Sequence, residues 1–236
     1  MKKISLFLLL SFWNIYSQKD SLQVEYTAYY AIDKSANSSS EIDKSLSLLS
    51  ETKTSLNFIL NATGNESFFY HKDLDKDLNM NSKLALALSG YFAPVYFEKS
   101  SLKILEDHDD MILGKYVLSK KYKYHNWIIT NEKKQIASFT CYKAYVDIVI
   151  TNPKGQFTNR IFVWFTNEIP FSFGPLGFSG LPGLILEMVN KNVIYGAKII
   201  RFKQFDNFKI NKPDDKNAIT EDKVRELRED FLNGKD

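Results

Sequence analysis

A single cysteine, Cys141, in 236 residues excludes an internal disulfide framework and any metal cluster built on several thiolates. Only Lys143 stands close enough in sequence to lower its pKa, so Cys141 reads as a small, inert, half-buried residue. Histidine is also scarce: His71, His108 and His125 are the three in the chain, and no spacing selects one as a general base. Charge is nearly balanced, 31 basic against 28 acidic residues, and two of the cations are Lys2 and Lys3 at the very start. A near-neutral chain lacks the electrostatic footprint of a nucleic acid partner. Beyond the first twenty residues no apolar run is long enough to span a bilayer of ~30 Å, so no transmembrane span is expected there.

The first residues, "MKKISLFLLLSFWNIYSQKD", carry a positive start, a short apolar run from Ile4 to Phe12 and a small residue, Ser17. This is the pattern of a secretory signal peptide, with cleavage expected after Ser17. Residues 18–236 are then expected to form one exported domain, periplasmic or otherwise extracytoplasmic. No domain-length repeat or long linker divides them.

Period-two alternation dominates the body of the chain. Leu22, Val24, Tyr26, Ala28, Tyr30 and Ile32 alternate with Gln23, Glu25, Thr27, Tyr29 and Asp33, which argues a long strand with one buried face. The serine-rich stretch "SANSSSEIDKSLSLLSET" reads as loop or weak helix, and "KLALALSG" fits helix or strand. "TSLNFIL" and "ESFFYHK" around "NATGN" read as a hairpin. "PVYFEKSSLKILEDHDDMILGKYVLSKK" gives three short strands joined by polar turns. Residues 122–170 give three more, with turns expected at "NEKK" and "NPKGQ". In the last of these, Ile161, Val163 and Phe165 alternate with Arg160, Phe162 and Trp164. Both faces are partly apolar, which predicts that something covers the second one. Near the C-terminus, Thr220 can cap a helix over "EDKVRELREDFLNG", with Glu221 and Asp222 at its positive end and Gly234 at its exit. The fold class is therefore mainly β: a curved, half-barrel-like antiparallel sheet with one C-terminal helix.

"GPLGFSGLPGLILEM" places Gly174, Gly177, Gly180 and Gly183 at every third position, with Pro175 and Pro182 between them. Four glycines are far too few for a collagen array. The G-x-S-x-G frame of a nucleophile elbow fails at Leu181, and no lysine follows to make a phosphate loop. A structural role fits best. Prolines 170, 175 and 182 favour extended, polyproline-like backbone, and glycines on one side of it permit close approach to a sheet, expected at the face of Trp164. Phe171, Phe173, Leu176, Phe178 and Leu181 then supply apolar contacts.

This stretch resembles the GLPGLI family, whose hexapeptide stands here as Gly180-Leu181-Pro182-Gly183-Leu184-Ile185. The resemblance extends upstream to Ile136, Phe139, Cys141, Lys143 and Ala144, and to Arg160, Trp164, Phe165, Thr166, Ile169, Pro170, Gly174 and Pro175. It implies an exported cell-envelope protein of Gram-negative type and carries over no activity and no catalytic residue.

Polar clusters are weaker candidates. Asp73, Asp75 and Asp77 alternate as in a calcium loop, but Leu78 and Leu84 occupy the positions where an EF-hand needs Gly and Glu. "EDHDD", with Asp107, His108, Asp109 and Asp110, reads as a polar turn. Glu187 is expected to face away from Leu184, Leu186 and Met188, either as a buried anchor paired with Arg160 or Lys143 or at an exposed rim. The leading expectation is a non-enzymatic envelope protein binding a peptide, a lipid-like ligand or a partner protein along an apolar sheet face. The residues assigned to that face are Arg160, Trp164, Phe178, Gly180, Leu181, Pro182, Gly183 and Glu187. No cofactor and no metal is expected. The alternatives are an envelope hydrolase using loop His, Asp or Glu groups, and a purely structural surface component.

Overall fold

The computed structural model describes residues 21–31, 41–73, 78–122, 126–152, 155–203 and 210–234. The expected signal peptide lies outside them, as do Asp75, Asp77 and His125.

Among the described residues, eleven antiparallel strands form one curved, unclosed sheet. Six run as a meander: β1 (Ser21–Tyr30), β2 (Ser55–Thr63), β3 (Glu66–His71), β4 (Val95–Glu98), β5 (Lys103–Asp110) and β6 (Gly114–Lys121). Five more make a second meander: β7 (Ile128–Ile136), β8 (Phe139–Asn152), β9 (Gly155–Thr166), β10 (Leu184–Asn190) and β11 (Val193–Lys203). The pairing of β1 with β11 joins the two, giving the order β6-β5-β4-β3-β2-β1-β11-β10-β9-β8-β7. The alternation read in the first strand appears directly in its burial: Leu22, Val24, Tyr26 and Ala28 are fully buried, and Glu25 and Thr27 are half-buried on the other face.

Among the described residues three helices accompany the sheet: α1 (Glu41–Glu51), within the serine-rich stretch read as loop or weak helix, α2 (Met80–Ser89) and the expected C-terminal α3 (Glu221–Leu232). The ambiguous "KLALALSG" is helical. Asn79 caps its start by accepting from the Ser82 N–H at 2.9 Å, and Gly90 ends it at φ 83°. α2 rests on the concave face of the sheet, where the Tyr195 hydroxyl donates to the Ser89 carbonyl at 3.0 Å and Tyr30 donates to the Ala85 carbonyl. α1 docks through Leu49, which is fully buried. The core lies on this concave face, where Phe58 and Phe69 stack at 5.2 Å and Tyr91 and Tyr195 tilt against Phe58 at 5.2 and 5.3 Å.

Two turn assignments need correction. "NEKK" is strand: β7 runs through it with a register shift between Ile129 and Lys133, and the turn falls at Ala137-Ser138, where Ala137 takes φ 51°. β7 is an edge strand, where lysines and bulges are at home, so its polar composition imitates a turn. "EDHDD" is strand as well, occupying the end of β5, with Glu106 opposite Leu118 and His108 opposite Tyr116.

The glycine-spaced segment crosses from β9 to β10 over the concave face. It is not an extended strut. A 3₁₀ turn spans Pro175–Gly177, an antiparallel bridge joins Phe173 to Ser179, and Gly177, Gly180 and Gly183 take φ 78°, 97° and 156°. The expected close approach is nonetheless present. A Cβ on Gly174 would lie 2.7 Å from the Ile185 side chain, and one on Gly183 would lie 1.9 Å from the Thr166 carbonyl oxygen. Phe171, Phe173 and Leu181 are buried, with Phe173 edge-on to Phe97 at 6.0 Å.

Candidate functional site

The eight residues assigned from sequence divide between the two faces of the sheet. Arg160 pairs across strands with Asp147, Trp164 with Lys143, and Glu187 with Trp164, so Arg160, Trp164 and Glu187 share the convex face. There they form a ladder of cations and rings. Arg160 makes two hydrogen bonds of 2.7 Å to Asp147 and lies 4.4 Å from the Tyr145 ring. Lys134 sits 4.5 Å from the Trp164 ring and donates to Glu187 at 2.7 Å. Lys143 reaches Glu132 at 2.9 Å and lies 5.2 Å from Phe162. Thus Glu187 pairs with Lys134, not with Arg160 or Lys143. A bulge between Ile185 and Glu187 turns its carboxylate beside Trp164. The cover over Trp164 consists of lysine stems and ammonium groups, so the glycine segment is not needed there.

Phe178, Gly180, Leu181, Pro182 and Gly183 lie with the crossover on the concave side. Leu181 and Gly183 are buried within the segment, and Gly180 and Pro182 are exposed. Ser172 ties it internally: its hydroxyl donates to the Leu181 carbonyl at 2.6 Å and accepts from the Gly180 N–H at 3.1 Å. The Ser179 carbonyl accepts from the Tyr122 hydroxyl at 2.8 Å and from the Trp127 indole N–H at 2.9 Å. Phe178 is half-buried, edge-on to Trp127 at 6.1 Å. Of the assigned residues on this side, Phe178 is the one that lines an open chamber.

That space is a groove. One chamber, about 380 Å³, lies between Phe178, Ile104, Ile148 and Ile161. A second, about 530 Å³, lies between β5, β6, the loop after α2, and α3; His108, Tyr116, Asp110, Phe92 and Arg228 line it. Glu106, Lys120, Leu176 and Glu221 border both chambers, which are therefore neighbours along one wall. The first chamber sets Ile104, Ile148, Ile161 and Phe178 beside Lys121 and Asn159, and the second is the more ionic of the two.

Local structure places the ionic half. Alternation along β5 sends Glu106 and His108 to the concave face, and β6 brings Lys120 and Tyr116 there from the neighbouring strand. The His108 Nε2 lies 2.9 Å from Glu106 Oε2, and Lys120 Nζ lies 2.7 Å from Glu106 Oε1. The His108 ring stacks on Tyr116 at 5.0 Å with 6° between planes. Burial opposes ionisation of Glu106, but its hydrogen bonds with His108 and Lys120 outweigh this and hold the carboxyl below its ordinary range. Asp110 is likewise held low, first by the backbone N–H groups of Leu113 and Ile112 and further by Arg228. Phe92, 82% exposed, stands at the rim. Glu106, Lys120 and Asp110 thus each have a charged partner, so the groove presents paired, fixed charges. Among the described residues no group of three His, Cys, Asp or Glu side chains is placed to hold a metal ion.

Sequence reasoning missed Glu106, His108, Lys120 and Tyr116 as a group. The available signal was the alternation Glu106, His108, Asp110 inside a run that continues "LKIL". Of the other histidines, His71 is buried against Phe58 with its Nδ1 unpartnered, and burial lowers its pKa. Cys141 is fully buried rather than half-buried. Desolvation pushes its thiol up to about 11.

Comparisons with known proteins add little to the chemistry. A family model described as a protein of unknown function (Porph_ging) matches residues 154–187, which contain β9, the glycine segment and the start of β10. No curated protein matches. The chain is similar in structure to PNGF-II in a C2 crystal form, with a TM-score of 0.50, 13% identity, and coverage of 88% of this chain and 32% of that one. PNGF-II in a P21 form gives a TM-score of 0.49 at 14% identity, covering 88% of this chain and 33% of that one. The chain therefore spans about a third of the length of PNGF-II, and the likeness is one of fold. No helix among the described residues is long and apolar enough to cross a membrane.

Proposed function

We propose that this chain is an exported, non-enzymatic envelope protein of the GLPGLI type. It forms one domain after loss of residues 1–17 and binds a ligand in the concave groove. The ligand, a peptide, a lipid-like molecule or a segment of a partner protein, places an apolar part beside Phe178, Ile148 and Ile161 and a polar end at Glu106, His108 and Lys120. The observation that carries this reading is the groove itself. A partly apolar chamber adjoins an ionic one, with Glu106, Lys120, Leu176 and Glu221 bordering both. The convex ladder around Trp164 serves the sheet and not the ligand.

Native mass spectrometry of the protein isolated from its own cells tests this. The expected result is a retained mass on the wild-type chain that is lost from Phe178→Ala. A bare chain in both samples overturns it. A second reading, an envelope hydrolase, draws on the convergence of Glu106, His108 and Asp110 at one groove. It uses strand residues, where loop residues were expected. Under the binding reading, Glu106→Gln and His108→Gln shift ligand retention. Under the hydrolase reading they abolish turnover and leave substrate trapped.

A further inference from the structure

We propose that α3 is a hinged cover of the groove, latched by two ion pairs instead of being packed in place. Glu221, Val224 and Arg228 of this helix form one wall of the ionic chamber. Yet none of its residues is buried. Val224 and Leu227 are half-buried, and Phe231 and Leu232 are 56% and 76% exposed. Helices in folded chains owe most of their stability to an apolar face pressed on a core, and α3 makes that contact only through the half-buried Val224 and Leu227.

Its attachment is uneven along its length. At the start the chain is fixed to the edge of β6: the Ile219 N–H donates to the Val117 carbonyl at 2.9 Å, and the Ser119 N–H donates to the Ile219 carbonyl at 2.8 Å. Thr220 then caps the helix, accepting from the Lys223 N–H at 3.3 Å. Beyond that point two ion pairs hold it down. Glu221 lies 3.7 Å from Lys120, and Arg228 meets Asp110 near the far end. Both pairs have a solvent-facing partner, and such pairs hold weakly and respond to salt. The Asp110 carboxylate is gripped by the N–H groups of Ile112 and Leu113 at 2.8 and 3.0 Å, so the receiving half of the latch stays in position when the helix leaves. Within α3, Lys223 pairs with Glu226 and Arg225 with Asp222, which supports the helix by itself. Rotation about Ile219 and Thr220 then uncovers Leu118 and Glu106 and admits a guest broader than the closed cleft. The purpose of the cover rests on the groove reading; the motion is measurable without any ligand.

Hydrogen exchange of the ligand-free full chain at about 0.02 M and 0.5 M NaCl, either side of a ~10 Å screening length, reads the latch. The expected result is faster exchange across residues 221–232 than across β6, rising roughly two- to five-fold at high salt, with Arg228→Gln giving the same rise at low salt. In a Cys141→Ser background, alkylation of Leu118→Cys should accelerate by a similar factor. Exchange in α3 as slow as in β6, and indifferent to both salt and Arg228→Gln, overturns the proposal. A salt-sensitive cover on a protein that retains no ligand upholds the latch and refutes the groove reading alone.

Discussion

Gly183→Ala is the substitution on which the packing of the crossover depends most. An added Cβ would stand 1.9 Å from the Thr166 carbonyl oxygen, 2.7 Å from its carbon and 3.0 Å from the Asn167 Cα. All three are backbone atoms, and Thr166 ends β9, so no side-chain rotation relieves the clash. The residue also sits at φ 156°, which L side chains rarely adopt. Forced overpacking costs about 1–3 kcal/mol, and a backbone held in a disfavoured region about 1–3 kcal/mol more. A loss of about 2–6 kcal/mol corresponds to a fall in Tm of roughly 5–20 °C for a chain of this size. Gly174→Ala meets the Ile185 side chain at 2.7 Å with an ordinary extended φ, so part of its strain can relax, and it should lose less. Gly64→Ala finds nothing within 4 Å and should melt like the parent. Differential scanning calorimetry of the three variants orders them. If Gly183→Ala melts within about 1 °C of the parent, the close approach of crossover and sheet is refuted.

Other expectations concern separate parts of the molecule. Cys141, buried with its thiol raised to about 11, should resist alkylation at pH 8 in the folded chain and react promptly in denaturant. His71 titrates below its ordinary value of 6.5 because burial disfavours the charged ring. The unfolded chain therefore binds more protons as pH falls, and stability present above about pH 6.5 should decline below it. Urea midpoints of the parent and His71→Leu at pH 7.5 and 5.5 should show that this decline is smaller in the variant. Phe173→Ala removes a buried ring edge-on to Phe97 and should cost about 3–5 kcal/mol by chemical denaturation. Phe178→Ala, half-buried at the groove, should cost much less and act on ligand retention.

Much of the sheet was legible because its inner residues follow a period of two. Leu22 to Tyr30 and Ile161 to Phe165 bury the side chains that alternation selects. Where polar residues carry the same period, the signal is hidden. Glu106 and His108 face inward from a strand that looks like a turn, since each is matched by a partner from β6 or its own strand that cannot be foreseen without the pairing register. The lysines of β7 likewise mask an edge strand. The face on which a crossover lands is also unreadable. Trp164 and Phe178 are fourteen positions apart on opposite sides of the sheet, and which side the crossover takes is decided by side chains it meets from β4 and β10, such as Val95 at 3.0 Å from a Cβ placed on Gly177. The even spacing of the glycines was legible as close packing, but not as the left-handed turns that Gly177 and Gly180 supply.

The most direct test of the account is a crystal structure of the protein isolated from its own cells. The account predicts connected density running from Phe178 and Ile161 to within hydrogen-bonding reach of Glu106, His108 or Lys120. A groove holding only scattered water, in a chain that otherwise folds as described, contradicts it.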